Sequence, residues 1–174
     1  SGRQPGELQT MVDLLTTNET YFFREARHLE FLRDEILGRR PAGAALRIWS
    51  AASSSGEEAY SIAMVIADTM PSNARWEVFG SDISTQVLAK ARAGRYPLER
   101  NEGIPEACRR KYCLKTSDDP DGFLVAPAIR QHVRFAQVNL TRPIDPRIGS
   151  FDVIFLRNVM IYFDSETKRQ VIAN

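Results

Sequence analysis

Leu46-Arg47-Ile48-Trp49-Ser50-Ala51-Ala52-Ser53-Ser54-Ser55-Gly56-Glu57-Glu58-Ala59-Tyr60 carries three signals in immediate succession. Leu46 to Ala52 is an apolar run of strand length, and it ends in small residues and Gly56. A helical pattern then begins, with Ile62, Val65, Ile66 and Thr69 spaced to share one face. Buried strand, small-residue turn and helix start together make the first half of a nucleotide-binding βαβ unit. Small side chains let a ligand press against the backbone, and the helix amino terminus directs free N–H groups at it. The turn departs from G-x-G-x-x-G, because serines stand where glycines would be and an acidic pair follows the glycine. Glu57 and Glu58 would repel a diphosphate and attract a cation. That points away from NAD and towards S-adenosylmethionine, whose amino and sulfonium groups are positive.

The chain has 174 residues, 43% of them hydrophobic, which is enough for one domain with a core. Lys+Arg 23 against Asp+Glu 22 gives a net charge of +1, so no global field recruits nucleic acid or an anionic membrane. Cys108 and Cys113 match no C-x-x-C metal or redox pattern and read as reduced thiols of a cytoplasmic protein. There is no apolar run of about 18 residues, so no membrane insertion is expected.

Working outward, residues 1–7 read as a polar start, and Leu8, Met11, Val12, Leu14 and Leu15 as a short amphipathic helix. In the stretch Thr17 to Glu25, Asn18 and Thr20 suit helix caps, while Phe22 and Phe23 beside Arg24 suggest an apolar wall next to a carboxylate grip. Leu29, Leu32 and Ile36 extend a helical stripe to Gly38. Trp76 to Ser81 is the second strand, with Asp82 past its end. Gly56 and Asp82 are 26 positions apart, slightly more than the ~20 expected for an acid that binds a ribose diol. Ser84 competes for the cap of the next helix, Ser84 to Ala93.

Residues 95–132 are the least regular part. A helix over Pro105 to Tyr112 precedes Asp118-Asp119-Pro120-Asp121-Gly122, a turn signal flanked by short extended runs, and together they suggest a β-hairpin inserted at about 108–132. Val133 to Val138 is the third strand and Phe151 to Leu156 the fourth, the most apolar and expected to be central. Successive βα units imply an α/β fold with a doubly wound parallel sheet. Ser50 to Glu57, Asp82, Asn139 and Arg157-Asn158 then all fall at carboxyl ends of strands, where open α/β sheets bind ligands.

These residues resemble a known family. Thr17 to Glu25, Trp49 to Ala63, Ser81-Asp82-Ile83 and Phe155-Leu156-Arg157-Asn158-Val159-Met160-Ile161-Tyr162-Phe163 are similar to the chemotaxis receptor methyltransferases, the CheR family, over roughly residues 8 to 174. The resemblance implies the Rossmann-like fold of class I S-adenosylmethionine-dependent methyltransferases. It implies that cofactor as methyl donor, no metal, and glutamate side chains in the cytoplasmic helical domain of chemoreceptors as acceptors. By motif, Asn18, Thr20 and Arg24 would hold the methionine end. Glu57 would meet the amino group (with Glu58 the competing choice), Asp82 the ribose, and Asn139 and Leu140 the adenine edge. Arg157 and Asn158 would close the floor near the methyl.

The chemistry agrees with that reading. A glutamate carboxylate, pKa about 4.3, is already the nucleophile at neutral pH and needs no general base. Alignment and exclusion of water by the Phe22/Phe23 region can then carry catalysis. His28 and His132 read as structural. The alternative is a non-catalytic domain that binds the cofactor and serves regulation or scaffolding. Residues 1–17 would be the remnant of an amino-terminal helical domain and 18–174 a methyltransferase domain, so a chain shortened at both ends is expected. In the family the inserted subdomain can bind a receptor tail peptide; here Pro127 is expected to interrupt its strand pairing.

Overall fold

The computed structural model describes residues 19–41 and 43–174, so Asn18 and the helix expected over Leu8 to Leu15 lie outside the described residues. In chain order they form α1 (Ala26–Phe31), continued by a π-helical turn (Leu32–Leu37), then β1 (Leu46–Ala51), α2 (Glu57–Thr69), β2 (Trp76–Asp82) and α3 (Thr85–Ala93). There follow β3 (Arg95–Pro97), α4 (Glu106–Tyr112), β4 (Cys113–Thr116), β5 (Asp119–Val125), α5 (Pro127–Arg130), β6 (Val133–Gln137), β7 (Val153–Phe155) and α6 (Ser165–Ala173).

The apolar run that opens the βαβ unit is β1, and it pairs in parallel with β2 on one side and β7 on the other. With β6 beside β2, the sheet runs β6-β2-β1-β7, so the order of strands reverses at β1. A reversal of that kind opens a crevice at the carboxyl ends of the strands flanking it. The fourth strand is therefore at the edge of this sheet among the described residues, not central, and Ile154 on it is 54% exposed.

The sheet is packed on both faces. On one, Ile48 and Val78 meet Ala59, Ile62, Ala63 and Ile66 of α2, with Leu29 and Leu32 behind them. On the other, Trp49, Ala51 and Phe79 pack with Phe151, Ile144 and Ile148. Gly56 starts α2 at φ +98, a backbone that L side chains rarely adopt. A Cβ there would lie 2.9 Å from the Ala91 methyl and 3.0 Å from the Tyr96 hydroxyl.

The insertion differs from the expected hairpin. It is a three-stranded antiparallel sheet ordered β3-β5-β4, and it begins at Arg95 rather than near residue 108. Its turn falls at Ser117-Asp118, ahead of the Pro-Asp-Gly signal, because Asp119 already pairs with Thr116. Pro127 interrupts nothing: β5 ends at Val125 and Pro127 opens α5, where its missing N–H costs no helical bond. His132 stacks on Trp76 with ring centroids 4.0 Å apart, a packing role, while His28 is exposed beside Glu25.

Candidate functional site

At the reversal point lies a cavity of about 460 Å³, within the roughly 300–1,000 Å³ of small-molecule sites. Each strand end contributes to it. Ala52 and Ser54 come from the turn after β1, Asp82 and Ile83 from the end of β2, Val138 to Thr141 from the loop after β6, and Arg157 to Val159 from beyond β7. Glu19, Thr20 and Arg24 close one side, and Tyr162 and Phe163 another.

Thr20, Arg24, Asp82, Asn139, Leu140, Arg157 and Asn158, all singled out from the sequence, are thus brought together. Glu57 is not. It is 1% exposed and does not line the cavity, taking a hydrogen bond from the Ser55 hydroxyl (2.7 Å) and facing Arg100 at 3.4 Å. Glu58 is the member of the pair on the cavity wall, so the preference for Glu57 is reversed. One residue along a helix turns the side chain by about 100°, and the sequence leaves open which of two adjacent carboxylates that turn aims inward.

Glu58 sits in a chain of charges. Ser50 donates its hydroxyl to Glu58 Oε1 at 2.7 Å, and Arg157 Nη1 lies 3.3 Å from Oε2. Arg157 also donates to the Arg24 carbonyl at 2.7 Å and pairs with Glu25 at 3.2 Å. Burial raises the Glu58 carboxyl above its usual range, opposed by the Ser50 hydroxyl and Arg157. Glu25, exposed, is held below its usual range by the Asn158 amide and Arg157.

Asp82 anchors the turn it faces. Its carboxylate accepts the Ser54 N–H at 2.9 Å and the Ser84 N–H at 3.0 Å, and Ser84 supplies the cap of α3 as expected. Asn139 folds its side-chain oxygen back onto Thr141, accepting its N–H at 3.0 Å and its hydroxyl at 2.8 Å, which shapes the loop after β6. Arg24 donates to the Glu19 carbonyl at 2.7 Å and lies over the Tyr21 ring.

Backbone strain gathers here as well. Ala52 (φ 91), Ser54 (φ 48) and Asn158 (φ 57) take left-handed conformations on the cavity wall, as do Phe23 (φ 55) and Glu25 (φ 52) nearby. Each costs about 1–3 kcal/mol and persists where surrounding structure enforces it. The Ser54 hydroxyl, buried and without a hydrogen-bond partner, lies in the same turn.

The phenylalanines expected to shield the site do not line it. Phe22 is fully buried in the core, edge-on to Tyr96 at 4.9 Å, and Phe23 packs against that core. The apolar lining comes instead from Ile83, Val138, Leu140, Val159, Tyr162 and Phe163. Tyr162 and Phe163 belong to the Phe155–Phe163 motif, which is the sequence signal that marks them. Thr20 caps no helix, because α1 starts only after Glu25, whose side chain makes no cap. No group of three or more histidine, cysteine, aspartate or glutamate residues placed to hold a metal occurs among the described residues. Nor is any helix among them long and apolar enough to cross a membrane.

The donor set suits a cationic, zwitterionic nucleoside: carboxylates from α2 and β2, a guanidinium on the facing wall, and apolar surface between. Comparison with known proteins points the same way. The family described as CheR methyltransferase, SAM binding domain, matches residues 18–174. The chain is 43% identical over 174 residues to the chemotaxis protein methyltransferase of Escherichia coli, covering 99% of this chain and 60% of that protein. It is 42% identical over 172 residues to chemotaxis protein methyltransferase 2 of Pseudomonas aeruginosa, covering 98% and 61%. To the chemotaxis protein methyltransferase of Salmonella typhimurium it is 40% identical over 174 residues, covering 99% and 59%. It therefore spans about three-fifths of the length of these curated relatives.

Proposed function

The chain belongs to the CheR methyltransferase family, matching its SAM-binding domain, and on that footing we propose that it is the cofactor-binding part of a protein-glutamate O-methyltransferase acting on chemoreceptors. The observation that carries this reading is the charge arrangement of the cavity. Glu58 faces it from the first turn of α2, Asp82 from the end of β2, and Arg24 from the amino-terminal segment.

In this reading Arg24 and Thr20 grip the methionine carboxylate, with Asn18 contributing from outside the described residues. Glu58 receives the ammonium group, Asp82 the ribose hydroxyls, and the Asn139-Leu140 loop the adenine edge. Arg157 keeps Glu58 oriented and, with Asn158, forms the floor beneath the methyl group. When bound, S-adenosylmethionine supplies an electrophilic methyl group on a sulfonium with a good neutral leaving group.

The residues of the chain bind, align and exclude water. No histidine, cysteine or lysine stands among the described residues that line the cavity, and the acceptor chemistry requires none. A receptor glutamate is ionised at neutral pH and presents its own nucleophilic oxygen. Val159, Tyr162 and Phe163 supply apolar surface at the site, where a lower local dielectric strengthens each fixed charge. The partners in this reading are the cytoplasmic helical domains of chemoreceptors, and the protein works in the cytoplasm.

Two measurements on the intact protein test the proposal. Calorimetry with S-adenosylhomocysteine should give saturable one-site binding. Transfer of radiolabelled methyl to receptor glutamates should follow, as base-labile methyl esters. Binding without transfer would leave a regulatory cofactor-binding domain; no binding would remove the proposal.

A further inference from the structure

Arg100 does not line the cavity, yet it joins two pieces of its wall. It lies on a 3₁₀ turn, Leu98–Asn101, between β3 of the inserted sheet and α4. Its Nη1 donates to the Thr20 carbonyl and lies 3.4 Å from Oε1 of the buried Glu57. Glu57 is the first residue of α2, next to Glu58 on the wall.

The surroundings show that this contact is built in. The loop carrying Arg100 runs so close to the Thr20–Phe22 segment that a Cβ on Gly103 would lie 2.5 Å from the Phe22 carbonyl oxygen. Phe22 is seated against Tyr96 of β3, whose hydroxyl donates to the Ser55 carbonyl at 2.6 Å. The Phe23 N–H donates to Ser61 Oγ at 2.9 Å, and Ser61 donates to the Glu57 carbonyl at 2.6 Å. Thr20 and Arg24 thus belong to a segment fastened at Phe22 and Phe23, and Arg100 is the fastening at its Thr20 end.

We infer that Arg100 is a positioning residue: by clamping the Thr20 carbonyl to the Glu57 carboxylate, it sets where Thr20 and Arg24 stand relative to Glu58. This rests on the proposed cofactor reading, in which Thr20 and Arg24 meet the methionine end. The opposite end of the cavity does not depend on the clamp. Asp82 is fixed by β2 and by two backbone N–H groups, and Asn139 by its own turn. Loss of the clamp should therefore weaken the grip on the amino-acid part of a ligand and spare its nucleoside part. A displacement of about 1 Å suffices for such a loss.

The test compares S-adenosylhomocysteine with methylthioadenosine, which keeps adenine, ribose and sulfur but lacks the amino-acid end. Calorimetry on the intact protein should show Arg100→Ala binding S-adenosylhomocysteine about tenfold more weakly, the size of one lost charge-assisted hydrogen bond. Its affinity for methylthioadenosine should be unchanged. Arg100→Lys, which keeps a donor without the fork, should recover part of the loss. In Glu57→Gln/Arg100→Ala the two losses should not add, as for groups in direct contact. An equal loss for both ligands would indicate general structural damage and overturn the inference, as would no loss at all. If the parent protein fails to bind S-adenosylhomocysteine, the proposed function itself fails and the inference falls with it.

Discussion

Glu58 and Arg157 face each other across the cavity wall, Oε2 to Nη1 at 3.3 Å, with side chains 18% and 12% exposed. The pair ties the start of α2 to the segment after β7, and Arg157 extends the tie to the Arg24 carbonyl and Glu25. Neither end of this bridge is deeply solvated, so each charge relies on the other. In the proposed reading the carboxylate that orders this wall also receives the ammonium group of the cofactor.

Glu58→Gln keeps the side chain's shape and its acceptor for Ser50 but removes the charge. It should weaken S-adenosylhomocysteine binding by about 1.5–3 kcal/mol, the range for hydrogen bonds to a charged group. Glu57→Gln should cost less, since Glu57 does not line the cavity and the amide keeps an acceptor for Arg100. Calorimetry on the two variants side by side decides; a larger loss from Glu57→Gln would restore the preference drawn from the sequence.

Asp82 carries two duties that substitutions can separate. Asp82→Ala strips acceptors from the Ser54 and Ser84 N–H groups. It should cost about 1–3 kcal/mol in stability and a similar amount in cofactor affinity. Asp82→Asn retains one oxygen and should be milder in urea unfolding while still weakening binding. Normal affinity in both variants would remove Asp82 from the ribose role.

Most of this architecture can be read from residue types. The run Leu46 to Ala51, the small-residue turn and the α2 stripe are local signals, and they suffice to fix β1, the loop and the helix. Strand β3 is not local: Arg95–Pro97 is three residues long and is a strand only because β5 pairs with it. The edge position of β7 is equally invisible to a reading based on apolarity, which reports burial and not neighbours. At the site, strand ends identify Asp82, Asn139 and Arg157 because topology brings such positions together. The choice between Glu57 and Glu58, and the fate of Phe22, depend on a helix rotation and a loop path that no spacing encodes.

Phe22 illustrates the difference experimentally. It is fully buried among Tyr96 and Phe123, so Phe22→Ala should cost about 3–5 kcal/mol of stability. Arg24→Ala, on the cavity wall, should leave the melting temperature nearly unchanged while weakening S-adenosylhomocysteine by about 1–3 kcal/mol. Thermal unfolding with and without ligand separates the two. A Phe22→Ala protein as stable as the parent would contradict the packing described.

Glu57 sets a pH dependence whose sign follows from its burial. Burial raises its carboxyl above the ordinary 4.5, and the Ser55 hydroxyl and Arg100 only partly oppose this. A raised value means the folded protein binds the proton more tightly than the unfolded chain. Its contribution to stability is therefore complete below the unfolded value and is lost as pH rises through the folded one. Each unit of elevation corresponds to about 1.4 kcal/mol. Glu57→Gln has no proton to lose, so its stability relative to the parent should improve as pH rises from about the unfolded value and level off above the folded one. Glu58, raised in the same direction, is present in both proteins and cancels in the comparison. Urea unfolding of the pair across that range measures the difference; a difference that stays flat, or that falls with pH, would mean Glu57 is not held above its ordinary value in the fold.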